Sequence, residues 1–334
     1  MTTKPTTLGR FIRDSYAGKE AEGAEMHAIL MQLAHAGKIF ASALQRAALE
    51  GMLGYTGADN VQGEATKKLD LFGNETVVEA FAPTGLVAAI VSEEEPEPHH
   101  LAEGPKARYV ISVDPLDGSS NSDINGAVGT IFGIQRRKTT EGKATKEDML
   151  RRGSEQVAAG YVMYGPSTIF VYTTGSGTNG FTLDTSIGEF LLSHPKMKCA
   201  EKGKYYSSNL GNAPQWTASL RKYLDHMTQT DKATGRPYSL RYVGALVADV
   251  HRSLLEGGIY FYPADSKHET GKLRLLYECA PLAFVVEQAG GAASTGTGRI
   301  LDIQAASIHQ RVPIAIGSRA DVALYERFVR EGHA

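Results

Sequence analysis

The chain has 334 residues, which at about 150 per domain suggests two domains and a sizeable buried core. A hydrophobic share of 42% and a charged share of 22% are ordinary for a globular protein. The 35 basic and 37 acidic residues leave a net charge of −2, which excludes a nucleic acid or an anionic membrane held by net charge alone.

The first element is a helix. Met26, Ile29, Leu30, Leu33, Phe40, Leu44 and Ala47 recur at helical spacing, and Gly51 ends the run. Residues 51–63 carry Gly51, Gly54, Gly57 and Gly63 and read as a mobile loop. A second helix fits 75–81. Continuous apolar runs at 86–91 and 109–113 predict strands buried on both faces, and further strands fit 130–135, 157–163, 168–173 and 181–183. The charged stretch 136–152 reads as a solvated loop. A basic, proline-bearing segment at 193–204 marks a domain boundary. Beyond it, helices at 215–227, 243–255, 273–288 and 320–330 alternate with strands at 259–262 and 313–317, an α/β pattern. No apolar run approaches ~18 residues, and residues 1–20 lack a signal-peptide core, so a cytoplasmic protein is expected. Cys199 and Cys279 have no CxxC spacing, which excludes a disulfide framework and a thiolate zinc site.

Two acidic clusters end two of the predicted strands. Glu93, Glu94 and Glu95 follow one; Asp114 and Asp117 follow the other. Singly, each reads as a solvated loop or a turn. If the strands are sheet neighbours, both clusters enter one crevice, where α/β proteins commonly bind ligands. Converging carboxylates repel and need cations, and oxygen donors without His or Cys favour magnesium or manganese. Gly118-Ser119-Ser120-Asn121 follows at once, and its successive N–H groups suit a phosphate nest. Lys272, Arg274 and Arg241 add positive charge from the second half, and Glu278 lies one helical turn beyond Arg274. Two features are set aside. Gly175 to Gly180 matches a dinucleotide fingerprint but leads into a strand, so it reads as a hairpin turn. His99-His100 reads as surface.

VDPLDGSSNSDINGAVGTIFGI at 113–134 resembles the metal and phosphate signature of class I fructose-1,6-bisphosphatases. Its Asp-Pro-Leu-Asp-Gly-Ser core alone would describe a wider superfamily that includes the inositol monophosphatases. GKLRLLYECAPLAFVVEQAGG at 271–291, RYVGALVADVHR at 241–252, QGEATKKLD at 62–70 and VSEEE at 91–95 narrow it.

The resemblance implies a layered α-β-α-β-α sugar phosphatase fold with mixed sheets and two domains. Residues 1–195 would be the metal-binding and regulatory domain, and 196–334 the sugar-phosphate domain. It implies a homotetramer that hydrolyses the 1-phosphate of fructose 1,6-bisphosphate with two or three Mg2+, Mn2+ being the alternative. Metal ligation would fall to Glu64, Glu93, Glu94, Asp114, the Leu116 carbonyl, Asp117 and Glu278, with Glu64 standing where the family has aspartate. Asp117, Gly118, Ser119, Ser120 and Arg274 would cradle the departing phosphate. Asn209, Tyr242, Tyr262 and Lys272 would grip the sugar and its retained phosphate, and Arg241 would reach that phosphate in a neighbouring subunit. Asn212 stands where many relatives have tyrosine. Asp70 and Glu94 would orient and deprotonate the attacking water.

The alternatives are a sedoheptulose-1,7-bisphosphatase or dual-specificity enzyme, and a non-catalytic sugar-phosphate sensor. A sensor would be expected to have lost a carboxylate from the set, and none is lost. Relatives inhibited by AMP carry Thr-Gly-Glu-Leu-Thr where Gly23-Ala24-Glu25-Met26-His27 stands here, while Arg108, Tyr109 and Arg136 match the rest of that pocket. AMP inhibition is expected to be weak or absent. The stretch 136–152 also lacks the cysteines of the redox-switched plastid relatives, so reductant should leave activity unchanged.

Overall fold

The computed structural model describes residues 5–59 and 65–331. Helix α1 (Leu8–Ser15) opens at Thr7, whose hydroxyl accepts from the Arg10 N–H. Helix α2 (Glu20–Arg46) buries Met26, Ile29, Leu30, Leu33 and Phe40 along one stripe, as the spacing predicts. The described part of the glycine-rich stretch contains a strand: β1 (Tyr55–Asp59) pairs antiparallel with β2 (Ala65–Lys67), while residues 60–63 lie outside the described residues. Helix α3 (Lys68–Phe81) starts seven residues before the apolar pattern suggests. Its Asp70 carboxylate caps the first turn by accepting from the Lys67 N–H at 2.8 Å, a polar start that hydrophobic periodicity does not register.

The strands β3 (Val87–Ser92), β4 (His99–His100), β5 (Tyr109–Asp117) and β6 (Val128–Arg136) come next. After the short α4 (Lys146–Met149) follow β7 (Gln156–Tyr164), β8 (Thr168–Thr173), β9 (Thr178–Asp184) and β10 (Glu189–Met197). Among the described residues these strands form one sheet in the order β10-β9-β8-β7-β6-β5-β3-β4, in which only β3 and β5 run parallel. The Gly175 to Gly180 segment is the β8–β9 hairpin, as expected.

Beyond Met197 lie β11 (Tyr205–Ser207), α5 (Ala218–Thr228), β12 (Ser239–Leu240), α6 (Leu246–Glu256), β13 (Ile259–Tyr262) and β14 (Leu273–Arg274). They are followed by α7 (Ala280–Gln288), β15 (Ala292–Ser294), β16 (Arg311–Val312), β17 (Ile314–Gly317) and α8 (Arg319–Glu331). A second mixed sheet has the order β12-β11-β13-β17-β15.

Strand periodicity explains the layering. On the first sheet Val87, Ile90, Ile111, Val113 and Phe132 pack with Leu30, Leu33 and Phe40 of α2. Ala89, Val91, Val110, Ile131 and Tyr161 turn the other way, toward Val247 and Val250 of α6 and Leu282 and Val286 of α7. Tyr260, Ile314 and Ile316 of the second sheet close on that same helical layer. Ile259, Phe261 and Ala315 face Tyr223 of α5 and Tyr325 of α8. The result is the expected α-β-α-β-α fold.

Four local readings need correction. Strand β5 continues through Asp114-Pro115-Leu116-Asp117 rather than turning there, because its partner β6 keeps pairing across an irregularity between Asp114 and Asp117. Strand β10 was masked by its alternating polar residues, and it forms the sheet's edge. The 136–152 stretch is anchored rather than solvated: Arg137 and Asp148 are buried in it. The stretch 273–288 is not a single helix. It begins with β14 and passes through a π-helical turn, Leu275–Cys279, before α7.

Candidate active site

The site is assembled at the end of the parallel pair. In the β3–β5 register Ser92 lies beside Val113, so Glu93 and Glu94 leave the sheet next to Asp114. The Glu93 N–H donates to the Val113 carbonyl at 3.1 Å, fixing that neighbour relation, and both predicted acidic clusters reach one crevice. A cleft of about 610 Å³ opens there, lined from both halves of the chain.

Asp114, Asp117 and Glu278 converge at its floor. All three are buried, and one carboxylate oxygen from each lies within 4.8 Å of the others. The Asp114 carboxylate accepts from the Leu116 N–H at 3.0 Å. The Asp117 carboxylate receives the first N–H groups of α6, from Leu246 at 3.2 Å and Val247 at 2.6 Å. Glu278 comes from the π turn and accepts from the backbone N–H of Arg274. A π turn is wider than an α turn, and such turns recur at functional sites. The Arg274 guanidinium also reaches Glu93, at 3.0 Å.

Burial pushes all three carboxyls above the usual range, and mutual repulsion with Glu93 adds to this. The helix N-terminus resists the shift at Asp117, and Arg274 resists it at Glu278. Oxygen donors crowded this closely, without His or Cys, fit a hard divalent cation.

Asp70 faces the same floor from α3. Burial, opposed by the Lys67 N–H and reinforced by Glu93, lifts its carboxyl to about 6. Glu94 lines the cleft beside it. Glu95 turns away, accepting from the Asn74 amide at 2.8 Å and lying 3.2 Å from His99 Nδ1. His99 is therefore a paired group at the sheet edge rather than simple surface. Glu64 lies outside the described residues.

Gly118, Ser119 and Ser120 follow Asp117 along the cleft wall. Gly118 has φ +75°, and a Cβ there would stand 2.3 Å from the Cβ of Ala245, so the turn admits only glycine. It leads into a 3-10 turn, Ser119–Ile124.

The C-terminal half contributes Asn209, Tyr242, Tyr262, Lys272 and Arg274 to the same wall. Asn209 caps a 3-10 turn with its side-chain Oδ1, which accepts from the Gly211 N–H at 3.1 Å. Asn212 donates its amide to the Tyr262 hydroxyl at 2.9 Å, so this departure from the family pattern is absorbed into the site's hydrogen bonding. Arg241 is exposed and stands outside the cleft wall, its guanidinium 5.5 Å from the Tyr205 ring centre. Several lining residues escaped the sequence reading, among them Tyr55, Lys67 and Tyr260. Lys67 pairs with Asp123 at 2.7 Å and sits 5.3 Å from the Tyr55 ring centre. Lys67 lies within the QGEATKKLD motif at 62–70, the one signal that pointed to it, while Tyr55 precedes that motif.

The family model described as the fructose-1-6-bisphosphatase N-terminal domain matches residues 6–195, and that of the C-terminal domain matches 199–330. The chain belongs to the fructose-1,6-bisphosphatase family. It is 52% identical over 310 residues to a class 1 fructose-1,6-bisphosphatase of Acaryochloris marina, covering 93% of each chain. It is 44% identical to one of Trichormus variabilis, covering 98% of this chain and 93% of that one. The crystal structure of the Leishmania major fructose-1,6-bisphosphatase in holo form superposes with a TM-score of 0.91 at 39% identity, over 98% of this chain and all of that one. Fructose-1,6-bisphosphatases are metal-dependent, and the carboxylate floor fits that requirement.

Proposed function

We propose that the chain hydrolyses the 1-phosphate of fructose 1,6-bisphosphate, giving fructose 6-phosphate and inorganic phosphate. The reaction belongs to carbohydrate metabolism, including gluconeogenesis. The observation that carries the reading is a buried three-carboxylate cluster within 4.8 Å, one member of which, Asp117, is followed directly by the left-handed turn at Gly118.

Asp114, Asp117 and Glu278 would hold the cations, joined by Glu93, Glu94, the Leu116 carbonyl and Glu64, and Mg2+ suits this donor set. A divalent cation held there would supply positive charge against the phosphate and make water a stronger acid. The backbone N–H groups of Gly118, Ser119 and Ser120, with the Arg274 guanidinium, orient the departing phosphate. Asp70, shifted to about 6, is placed to accept the proton of the attacking water at near-neutral pH, and Glu94 orients that water. Lys272, Asn209, Tyr242 and Tyr262 grip the sugar and its second phosphate. Arg241, exposed outside the cleft, suits a role in a neighbouring subunit's site.

That role fits a homotetramer, as do the exposed Ile39, Leu49 and Leu71. No helix among the described residues is long and apolar enough to cross a membrane. Cys199 and Cys279 are free and buried, which suits the reducing cytoplasm. We place the domain seam near residue 195, at the end of β10. Phosphate release from a panel of sugar phosphates, with and without Mg2+, tests the assignment. Fructose 1,6-bisphosphate should lead the panel and chelator should abolish release. Metal-independent turnover, or none with either Mg2+ or Mn2+, would overturn it.

A further inference from the structure

The phosphate nest and the turn that presents Tyr242 belong to opposite halves of the chain, yet side chains join them at both ends of the nest. Asp117, just before Gly118, accepts from the Leu246 and Val247 N–H groups. Asn121, just after Ser120, donates its amide to the Val243 carbonyl at 3.2 Å and to the Ala127 carbonyl at 3.2 Å. Both Asn121 amide hydrogens are thereby used. Its backbone is fixed as well, since its N–H donates to the Gly118 carbonyl and its carbonyl accepts from Gly126, each at 2.8 Å.

The turn is held from the opposite side too. Asp249, fully buried on α6, accepts from the Val243 N–H at 3.0 Å and the Gly244 N–H at 3.1 Å. Gly244 has φ +84°, and a Cβ there would meet the Tyr242 ring at 3.8 Å, so the ring lies against the turn that carries it. Tyr242 is thus set at a fixed distance from the nest by Asn121 on one side and Asp249 on the other.

We infer that Asn121 and Asp249 are positioning residues that fix the distance between the two phosphate sites and so select the length of the sugar. The inference rests on the proposed bisphosphatase reading. A substrate must reach from Gly118–Ser120 to Tyr242. A rigid span favours one carbon-chain length, whereas a loosened span accepts others and holds the preferred one less tightly. Asp117 cannot test this, because it is also placed among the metal ligands. Asn121 can.

The experiment compares wild type, Asn121→Ala and Asp249→Asn at saturating Mg2+ on fructose 1,6-bisphosphate, sedoheptulose 1,7-bisphosphate and fructose 1-phosphate. For Asn121→Ala the KM for fructose 1,6-bisphosphate should rise about tenfold with kcat changed less than about threefold, as expected when binding contacts rather than chemistry are disturbed. Its preference over the heptulose bisphosphate and over the monophosphate should narrow by a similar factor. Asp249→Asn should move both ratios in the same direction. Unchanged ratios, or an equal loss on all three substrates, would overturn the inference. If Asn121→Ala does not fold, judged by circular dichroism, Asn121→Ser carries the same test. Failure of the wild type to act on fructose 1,6-bisphosphate would instead sink the functional reading.

Discussion

Two buried carboxylate regions of this molecule look alike in composition and behave in opposite ways. Asp148 is fully buried, yet its carboxyl is held well below the usual range. Burial alone would raise it, but the Thr139 hydroxyl at 2.6 Å and the N–H groups of Thr139 at 2.9 Å, Thr145 at 2.8 Å and Lys138 at 2.8 Å more than compensate. Arg137 Nε adds positive charge 3.6 Å away. Asp114, Asp117 and Glu278 are buried as deeply but face one another, and their carboxyls rise. A buried carboxylate whose lone pairs are filled by donors ties a loop together. Carboxylates that share a cavity with one another leave a charge deficit that a cation can fill.

The largest test of that contrast is Asp117→Ala. Phosphate release at ordinary Mg2+ should fall by orders of magnitude while circular dichroism shows the fold retained. Substantial remaining activity would remove Asp117 from the catalytic set. Asp148→Ala should do the reverse, lowering stability with little direct effect on chemistry. Removing the counter-charge of buried Arg137 together with the acceptor of the Lys138, Thr139 and Thr145 N–H groups should cost about 3–5 kcal/mol, read from denaturant unfolding at neutral pH. A loss below about 1 kcal/mol would make the tie unimportant.

Glu278→Gln sharpens the comparison through pH. A carboxyl raised in the folded state contributes stability that is full below its unfolded value and is lost as pH rises through its folded value. With the folded value of Glu278 at about 8, the metal-free protein at pH 8 therefore carries most of the penalty, which the amide removes. Melting in chelator should show Glu278→Gln more stable than wild type by at least about 2 °C at pH 8, with the gain shrinking toward pH 5. An equal difference at both pH values would mean that the penalty is not one of charge.

Glu25 lies between these extremes. Half-buried at the start of α2, it meets Arg108 at 3.0 Å and accepts from the Tyr109 hydroxyl at 2.8 Å, while Arg136 donates to that hydroxyl at 3.3 Å. The cations that the family resemblance offers to AMP phosphate are thus partly engaged by the protein's own carboxylate and phenol. AMP titration at fixed Mg2+ and substrate should give weak inhibition or none, and cooperative micromolar inhibition would refute this. Dithiols should change activity least of all, since Cys199 and Cys279 are free and buried.

The layered fold was legible because its strands are apolar runs and its helices carry stripes, both written in single residues. The acidic clusters were legible for a similar reason: each sits directly after a strand, and β3 and β5 proved to be neighbours. What escaped depended on partners that no local hydrophobic pattern records, some of them far along the chain. Lys67 is explained by Asp123, Asn121 by Val243, and Asp148 by a ring of backbone donors from 138 to 145. Strand β10 escaped because an edge strand tolerates polar residues on its open side. The π turn escaped because its five residues are as apolar as the helix that follows.

That turn also limits how the chain can vary over evolutionary time. Removing one residue from Leu275–Cys279 would rewind it to ordinary α geometry and swing whatever precedes the cut by about 100° relative to α7. The apolar stripe of α7 could stay seated against β7, so such a deletion would be a mild lesion for folding. Glu278 or Arg274, however, depending on which side of Glu278 the cut falls, would lose its place at the floor where Asp114 and Asp117 meet. Length through this segment should therefore be inherited more strictly than the identity of Leu275, Leu276 or Cys279, with insertions and deletions purged where substitutions are tolerated.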